Sequence, residues 1–549
     1  MKKRYVTAIA LALPAAMMAQ TAIDAYQMSR YDLRGTARYM SMGGAFGALG
    51  GDLSTLNNNP GGIGLYRKSE IGVTMDIDMQ SAKATSNTGS VNTDQTKVTV
   101  PNLGYIGSFY TGSETMPYFQ WGFSYGRINS FDRHYRGGSS AVNGSLSNYI
   151  AGYTTAENWS SDQLAGSDEN YFSYSAPWLS MLAYNSYMIN QGPTGYAGLY
   201  QNGTTGVNSY DILEKGYVDE YAINFGGNVM DAVYWGIGFG ITDIEYQQSA
   251  YYTEDFNNAR IPYQRAATPA ELQNPELKNE IVDGQIVDGT TTGDGGFGLD
   301  SHKRITGSGF NFKAGVIVRP INEIRIGLAV HTPTYYNLTQ RAFADVDYGY
   351  GYTDGPAKAY YTGSPEDYVQ WKFRTPWRLM ASVAGVIGSQ AIVSVDYEYR
   401  PYQNMTVKDS NGNEYKDLTS DVKTYYKAAN ILRVGAEYRL TSSVSLRAGF
   451  AYESTPTGSE VSDGKEPVYT SNPDDSGMTP SYTLDNSATY ITCGLGWHHK
   501  GFYADAAYVH KHRESTFMPY TPNSYTETPF SSKIDQNSNQ IVLSIGYKF

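Results

Sequence analysis

A two-residue alternation of apolar and polar side chains runs through most of the chain after residue 66 and constrains its fold more than any other feature. In the stretch 324–331, isoleucine, leucine and valine alternate with arginine, glycine, alanine and histidine. The same period recurs at 393–400, 432–440 and 444–453. Because successive side chains of a strand point to opposite faces, each stretch predicts a strand with one apolar and one polar face. The chain is therefore expected to be all-β.

About fourteen such segments can be recognised, an even number within the range of bacterial outer-membrane barrels. They lie near 68–82, 97–112, 118–131, 217–229, 231–247, 305–319, 323–337, 367–386, 389–403, 424–440, 443–455, 486–498, 500–514 and 537–549. Short turns and long polar loops alternate between them, and the longest loops are expected at about 132–216 and 248–304. Outer-membrane barrels place short turns in the periplasm and long loops outside, whereas a β-sandwich has no reason to gather its long loops at one end. The pattern favours a transmembrane antiparallel β-barrel, and the even strand number predicts that both termini are periplasmic.

The N-terminus has the layout of a secretory signal peptide. Three basic residues follow Met1, an apolar run extends to Ala19, and small or polar residues come next. This layout predicts a signal peptide over residues 1–19. Beyond it no stretch of ~18 apolar residues indicates a transmembrane helix, so any membrane span is expected to be β.

The C-terminus ends in a strand-like run with a terminal aromatic residue. The apolar face of this run consists of Ile541, Leu543, Ile545, Tyr547 and Phe549. Such an ending resembles the signal read by the outer-membrane barrel-assembly machinery, which is therefore an expected partner. Together with the signal peptide, it predicts a location in the outer membrane of a Gram-negative bacterium, with membrane lipid around the wall.

Composition excludes several classes of function. A net charge of −12 leaves no basic patch to neutralise nucleic-acid phosphates. The single cysteine, Cys493, excludes an internal disulfide and a multi-cysteine metal site. Its strand-like surroundings favour a small residue of the wall over a reactive thiol.

The stretch Gly35–Tyr66 is too rich in glycine and asparagine for a strand and too interrupted for a long helix. Irregular backbone at membrane depth is tolerated only where protein or a water-filled cavity surrounds it. We therefore expect residues 20–66 to form a plug inside a barrel built from residues 67–549. The glycine run 43–51 could be mistaken for a dinucleotide-binding loop, but that fingerprint requires a surrounding βαβ unit.

Several stretches resemble the FadL/TodX family of outer-membrane transporters of long-chain fatty acids and aromatic hydrocarbons. Arg38–Ala45, Asp52 and the run Asn59-Pro60-Gly61-Gly62 resemble the hatch of that family, although Gly61 stands where the family usually has alanine. Blocks that resemble its strands lie at 307–333, 373–385 and 431–456.

The resemblance implies a fourteen-stranded barrel that takes up a hydrophobic small molecule without catalysis or a cofactor. The hatch and gating residues that it implies are Met42, Gly43, Gly44, Phe46, Asn59, Pro60 and Gly61. Family members are thought to open laterally through a kinked third strand. That strand would lie near Gly122 to Arg127 here, with Gly122 and Gly126 as the candidate positions.

Apolar residues fall near helical spacing after Pro177, within an otherwise polar loop. The family collects its substrate on helices of external loops, so these residues are candidates for ligand capture. They are Trp178, Met181, Leu182, Tyr184 and Met188. The alternative interpretation is a helix that folds over the barrel mouth.

Three other functions remain open. His510 and His512 share one strand face, and histidine ligates haem, so a hemin receptor is one alternative. A structural or adhesive barrel acting through its loops is the second, and an enzyme within the barrel is the third.

The charged residues on the polar strand faces are expected to form a lumen wall of paired charges rather than a catalytic site. They are Arg325, Asp396, Glu398, Arg400, Arg433, Glu437, Arg439 and Arg447. The Asp-Gly-rich run 283–300 lacks the spacing of an EF-hand and is expected to be a flexible loop.

Overall fold

A computed structural model describes residues 21–165, 172, 176–192, 194–274, 281–282, 284–352, 357–388, 390–462, 468, 478–521 and 529–549. The predicted signal peptide, residues 1–19, lies outside these residues.

Most described residues belong to antiparallel strands of one large sheet. The strands are β1 (Glu70–Ser86), β2 (Gly89–Tyr110), β3 (Tyr118–Ser130), β4 (Arg133–Ser139), β5 (Asn190–Gly192), β6 (Gly195–Ala197), β7 (Thr205–Val229), β8 (Val233–Ala266), β9 (Ile281–Val282), β10 (Gln285–Ile321), β11 (Ile324–His331), β12 (Tyr335–Gly351), β13 (Lys358–Gly363), β14 (Asp367–Arg374), β15 (Arg378–Ile387), β16 (Ala391–Pro401), β17 (Thr406–Asp409), β18 (Ala428–Arg439), β19 (Val444–Glu453), β20 (Tyr482–His499), β21 (Phe502–Met518) and β22 (Ser532–Lys548). β5 and β6 form a separate hairpin.

The sheet closes into a barrel. In the described residues its wall has fourteen positions, four of which consist of two successive strands: β3 with β4, β11 with β12, β14 with β15, and β16 with β17. Closure occurs where β1 pairs with β22, from Glu70 opposite Lys548 to Thr85 opposite Lys533. The predicted fold class, a closed antiparallel barrel of about fourteen strands, is confirmed.

The helices are short and lie inside the barrel or at its long-loop end. They are α1 (Ala22–Ser29), α2 (Ala37–Ser41), α3 (Leu146–Ala156), α4 (Ser161–Leu164), α5 (Trp178–Asn185), α6 (Lys416–Tyr425) and α7 (Ser459–Ser462), with 3₁₀ turns at Leu53–Asn57, Pro60–Leu65, Glu271–Gln273 and Tyr402–Asn404. In the part of the chain that the structure describes, no helix is long and apolar enough to cross a membrane.

The prediction of a loop at 248–304 is wrong, because much of this stretch is strand. β8 continues to Ala266 and β10 begins at Gln285. The inward side chains of these extensions, such as Tyr252 and Leu299, remain buried. The outward side chains become polar, so the sequence loses its apolar outer face and is misread as a loop. The run predicted to be a flexible loop at 283–300 is likewise strand from residue 285 onward.

Strand parity sets where the wall begins and ends, but not where the preceding segment lies. Ser69 and Phe549 exchange backbone hydrogen bonds at the short-turn end. Thr21, by contrast, caps α1 inside the barrel, where Asp24 of the same helix lies 2.6 Å from Lys303 of β10. The even number of strands therefore places the start of β1 at the same end as the C-terminus, but it does not place residue 21 there.

The outward strand faces carry a belt of exposed, large apolar side chains. Ile241, Leu328 and Ile491 are 61%, 54% and 59% exposed. Phe502 and Phe549 stack against Tyr547 at the short-turn end. Soluble monomers rarely expose contiguous apolar patches of more than a few hundred Å², whereas a barrel in a bilayer needs an apolar belt flanked by aromatic residues. The wall thus has the surface of a membrane-spanning barrel.

Leu328→Arg is expected to destabilise the protein folded in lipid vesicles by ~2–4 kcal/mol, the cost of a cation on the lipid face near the bilayer midplane. Urea unfolding measures the change. Asn337→Arg is the matched control, because Asn337 is also exposed but lies beyond the apolar belt on β12. Equal effects of the two substitutions would contradict the assignment of the belt.

Candidate functional site

Residues 21–66, hereafter the lumenal segment, run through the barrel from the level of α1 to the short-turn end. Almost all of their side chains are buried. Each turn is capped locally: Thr36 accepts a hydrogen bond from the backbone N–H of Tyr39, Asp52 from Ser54, and Asn59 from Gly61. Such caps satisfy the first N–H groups of helices too short to be stable alone. This explains how a chain that resembles neither a strand nor a long helix is ordered here.

The lumenal segment touches the wall through backbone contacts that glycine permits. A Cβ at Gly43 would lie 2.9 Å from the backbone N and O of Phe450. A Cβ at Gly61 would lie 2.9 Å from the carbonyl of Gly315. On the wall side, a Cβ at Gly435 would meet the backbone of Met42. Contact this close leaves no space for a side chain.

Ion pairs also join the lumenal segment to the wall. Arg34 contacts Asp76 and lies 2.7 Å from Asp78, both on β1. Arg38 Nε lies 3.0 Å from Oε2 of Glu437 on β18. Because these charges are buried, removal of one partner would leave an uncompensated charge, which is strongly destabilising.

Asp32 forms a third ion pair between the lumenal segment and the wall. Lys511 Nζ lies 2.9 Å from Oδ1 of Asp32, and the Tyr490 hydroxyl donates to the same oxygen at 2.7 Å. Burial favours the neutral carboxyl, but the charges of Lys511 and Arg34 outweigh it and hold the pKa of Asp32 below its usual value. The carboxylate is therefore charged at neutral pH.

The residues expected to form a hatch are all buried. Met42 and Phe46 are fully buried, and Asn59 Nδ2 donates to the carbonyl of Gly47 at 2.5 Å. Gly43 and Gly44 have φ values of +62° and +76°, which favour glycine. Pro60 occupies the first position of its 3₁₀ turn, where no N–H is needed.

The wall is interrupted beside the lumenal segment. The ladder between β2 and β3 ends where Asn102 pairs with Gly126, although β2 starts at Gly89 and β3 continues to Ser130. Beyond this point side chains bridge the two edges: Lys97 pairs with Asp132, and the Thr93 hydroxyl donates to the carbonyl of His134. We call this interruption the β2–β3 break.

The lumenal segment covers the β2–β3 break. The backbone N–H of Asp32 donates to the carbonyl of Ile128 on β3 at 2.9 Å. A strand edge in a membrane needs such a partner, because lipid offers none. Val98 and Val100, on the part of β2 that is not paired with β3, are 64% and 49% exposed on the outer face.

The candidate lateral-opening positions lie directly below the break. Gly122 pairs with Ile106 and Asn224, so β3 is fully laddered at that point. Gly126 forms the last pair of the β2–β3 ladder, and a Cβ there would meet the Asn57 side chain of the lumenal segment. The ladder between β2 and β3 thus ends at Gly126 and not at Gly122, and a role of either glycine in lateral opening stays a prediction.

A cluster of apolar side chains, hereafter the apolar chamber, surrounds α1 at the start of the lumenal segment. Ile23, Tyr26 and Met28 belong to a buried cluster with aromatic and aliphatic residues of the wall and of α6. Tyr26 stacks on Tyr426 with ring centroids 4.8 Å apart, and its edge meets Tyr402 at 5.2 Å. The side chains of α1 fill the chamber.

The candidate capture residues lie in a folded cap at the long-loop end. The predicted helix after Pro177 is confirmed as α5. Trp178, Met181, Leu182 and Met188 are at most 5% exposed, within a cluster that α3 and the inner faces of the long strands share. Tyr184 is partly buried against this cluster. These side chains therefore face the interior of the cap and not an open groove.

The histidines considered for haem lie on the outer wall. His510 and His512 share a face as predicted, on the side opposite to the inward residues Lys511 and Arg513. Their Nδ1 atoms lie 2.9 Å and 3.0 Å from the side-chain oxygens of Asn539 and Asn537. Neither imidazole points into the lumen.

Most charges predicted to line the lumen are buried on the inner face, whereas Arg439 is exposed at the short-turn end. Sequence reasoning missed Lys97, Asp132 and Asp32. Lys97 and Asp132 lay in a predicted strand and a predicted loop, and no local pattern signals a contact between them.

Gly61→Ala is expected to push its turn away from β10, since the new Cβ would lie 2.9 Å from the Cα of Val316. Overpacking of this kind typically costs ~1–3 kcal/mol. The variant should unfold at a lower temperature and conduct more ions in planar bilayers. Gly385→Ala is the control, because a Cβ there meets nothing within 4 Å. If Gly61→Ala matched the wild type in both measurements, the close contact between Gly61 and β10 would be contradicted.

Comparison with known proteins gives no match to a family model and none to a curated protein. Solved structures are similar over most of their length. A FadL homologue from Pseudomonas aeruginosa has 14% identity and a TM-score of 0.49, with 95% of this chain and 100% of that chain covered. The toluene transporter TodX of P. putida has 13% identity and a TM-score of 0.45, with 94% and 99% covered. The CymD monoaromatic hydrocarbon channel has 12% identity and a TM-score of 0.39, with 95% and 99% covered.

Proposed function

We propose that the protein takes up hydrophobic small molecules across the outer membrane and releases them laterally through the β2–β3 break. The lumenal segment acts as the plug. The observation that carries this proposal is the break itself, where the edge of β3 is paired by the lumenal segment instead of by β2.

Lateral release suits an apolar cargo. A hydrophobic molecule that leaves through the wall enters lipid directly and avoids the aqueous periplasm. Opening the break disrupts side-chain bridges such as Lys97–Asp132 and not a backbone ladder. A partly exposed ion pair contributes only ~0–1 kcal/mol, so this part of the wall opens at a lower cost than a laddered part.

The route begins at the cap and passes through the apolar chamber. Movement of α5 would expose Trp178, Met181, Leu182, Tyr184 and Met188 as the capture surface. The ligand would then replace the apolar side chains of α1 in the chamber. Displacement of α1 pulls on Asp32, only a few residues further along, and thereby on its hydrogen bond to Ile128. Arrival of the ligand and opening of the break are coupled in this way.

The cargo class that the family resemblance supports is long-chain fatty acids or similarly apolar compounds. The haem alternative has less support, because His510 and His512 face outward and are engaged by asparagines. No feature of the described residues specifically favours an adhesive barrel.

A reversible lock across the break tests the proposal. In a Cys493→Ser background, which removes the exposed native thiol, Lys97→Cys and Asp132→Cys are joined with a reducible bis-thiosulfonate linker. Cells carrying the locked protein should take up labelled oleate at least ten-fold more slowly, and reduction should restore uptake. Binding of oleate to the purified, locked protein should persist, because the chamber is unchanged.

Leu103→Cys with Tyr125→Cys is the matched control. These positions face each other where the β2–β3 ladder is intact, so linking them should leave uptake unchanged. Undiminished uptake by the Lys97–Asp132 lock would exclude release through the break. Failure of the unlocked protein to take up any apolar compound would exclude the transport function.

A further inference from the structure

Three cations form a patch on the outer face of the wall, toward the long-loop end. They are Lys372 and Arg374 on β14 and Lys408 on β17, hereafter the β14–β17 patch. In the ladder between these strands, Lys372 is directly opposite Lys408. The next pair along, Phe373 with Val407, is buried inside the barrel. Because side chains alternate along a strand, the three cations lie on the outer face.

The β14–β17 patch begins where the apolar belt of the wall ends. Arg374 is opposite Tyr335 of β12, and Tyr335 stacks on Phe310 of β10 with ring centroids 5.5 Å apart. Trp377, a few residues further toward the short-turn end, is another exposed aromatic residue. Aromatic side chains mark the boundary between hydrocarbon and headgroups. Arg374 adjoins this boundary and Lys372 lies beyond it, so the patch is at the depth expected for lipid headgroups.

Like charges oppose each other within the patch. The Cα atoms of a directly opposite pair such as Lys372 and Lys408 are ~4.5–5.5 Å apart. Like charges in this arrangement destabilise a sheet. Among the described residues, none of the three cations of the patch forms an ion pair. An anion from outside the chain would therefore relieve a repulsion that the protein itself does not offset.

The acidic residues nearby do not neutralise the patch. Asp409 follows Lys408 and so lies on the opposite strand face, where its carboxylate accepts hydrogen bonds from its own turn. Glu366 lies 3.5 Å from Arg341. Glu414 is opposite Lys408 in an isolated bridge, but the two side chains form no ion pair. Even with Glu414 counted, the cations of the patch outnumber the carboxylates by two.

The guanidinium group of Arg374 is only partly hydrogen-bonded. Its Nη2 donates to Thr406 Oγ1 at 2.7 Å, whereas its Nε is buried and makes no hydrogen bond. The bond to Thr406 holds the guanidinium over β17, two residues from Lys408, which is ~7 Å along a strand. A guanidinium and two ammonium groups this close together suit a phosphate, which accepts charge-assisted hydrogen bonds from both kinds of cation.

We propose that the β14–β17 patch binds a phosphate group of lipid A in the outer leaflet of the outer membrane. A phosphomonoester carries ~1.5–2 negative charges at neutral pH, which matches the excess charge of the patch, whereas the phosphodiester of a phospholipid carries only a single charge. The inference depends on the expected orientation, in which the long loops face outside. It does not depend on the proposed uptake function.

The bound phosphate would strengthen a short part of the wall. The ladder between β14 and β17 has only four residue pairs, from Trp371 opposite Asp409 to Arg374 opposite Thr406. Directly below it, β14 gives way to β15, and a 3₁₀ turn at Tyr402–Asn404 separates β16 from β17. A phosphate that contacts cations of both strands joins them where backbone pairing is brief.

Binding is tested with the purified full-length protein in a neutral maltoside detergent, by native mass spectrometry. Bisphosphorylated lipid A should bind at least ten-fold more tightly than lipid A from which both phosphates have been removed. Lys372→Gln combined with Lys408→Gln should abolish most of this preference, because two of the three cations of the patch are lost.

Lys83→Gln combined with Lys215→Gln is the matched control. Lys83 and Lys215 are exposed on the outer faces of β1 and β7, so the loss of charge is the same but the patch is intact. This variant should retain the preference for phosphorylated lipid A. Equal binding of the two forms of lipid A, or an equal loss of the preference in both double variants, would overturn the proposal. Phosphatidylglycerol that bound as tightly as lipid A, or inorganic phosphate that displaced lipid A at equal concentration, would also overturn it.

Lys372→Glu provides a test that adds an anion to the patch. The new carboxylate would lie opposite Lys408 and beside Arg374, so a repulsive pair becomes an attractive one. Without added lipid, the variant should unfold at a higher temperature than the wild type, and it should no longer prefer phosphorylated lipid A. A lower unfolding temperature together with an intact preference would contradict the assignment of the phosphate to this patch.

Discussion

Every backbone N–H and C=O group at membrane depth has to find a partner within the protein, because hydrocarbon offers none. Closure of the sheet through β1 and β22 meets this demand for most of the wall. The β2–β3 break departs from it, and there the backbone of Asp32 pairs with Ile128 in place of a neighbouring strand. The lumenal segment thus completes part of the wall. Any movement of this segment changes how completely the wall is paired.

Two kinds of contact seat the segment, and they differ in what can loosen them. Close backbone contact at Gly43 and Gly61 depends on shape and does not respond to charge. The ion pairs of Arg34, Arg38 and Asp32 hold the segment electrostatically. The glycine contacts lie toward the short-turn end, whereas Asp32 lies beside the break. Disruption of its ion pair would therefore act on the part of the segment that covers the break and leave the lower part seated.

The sequence by itself determined the strand periodicity, the order of the strands within the lipid belt and the position of the irregular segment before β1. These properties are local, because alternation and turn residues act over a few positions. It also predicted α5 from its apolar spacing after Pro177. Only the tertiary structure decided that β8 and β10 extend beyond the lipid, because outward residues there face water and no longer alternate in polarity. Likewise, the contact of Lys97 with Asp132 joins residues that are distant in sequence. Which charged residues meet in the lumen depends on how the barrel closes, and closure is a property of the whole chain.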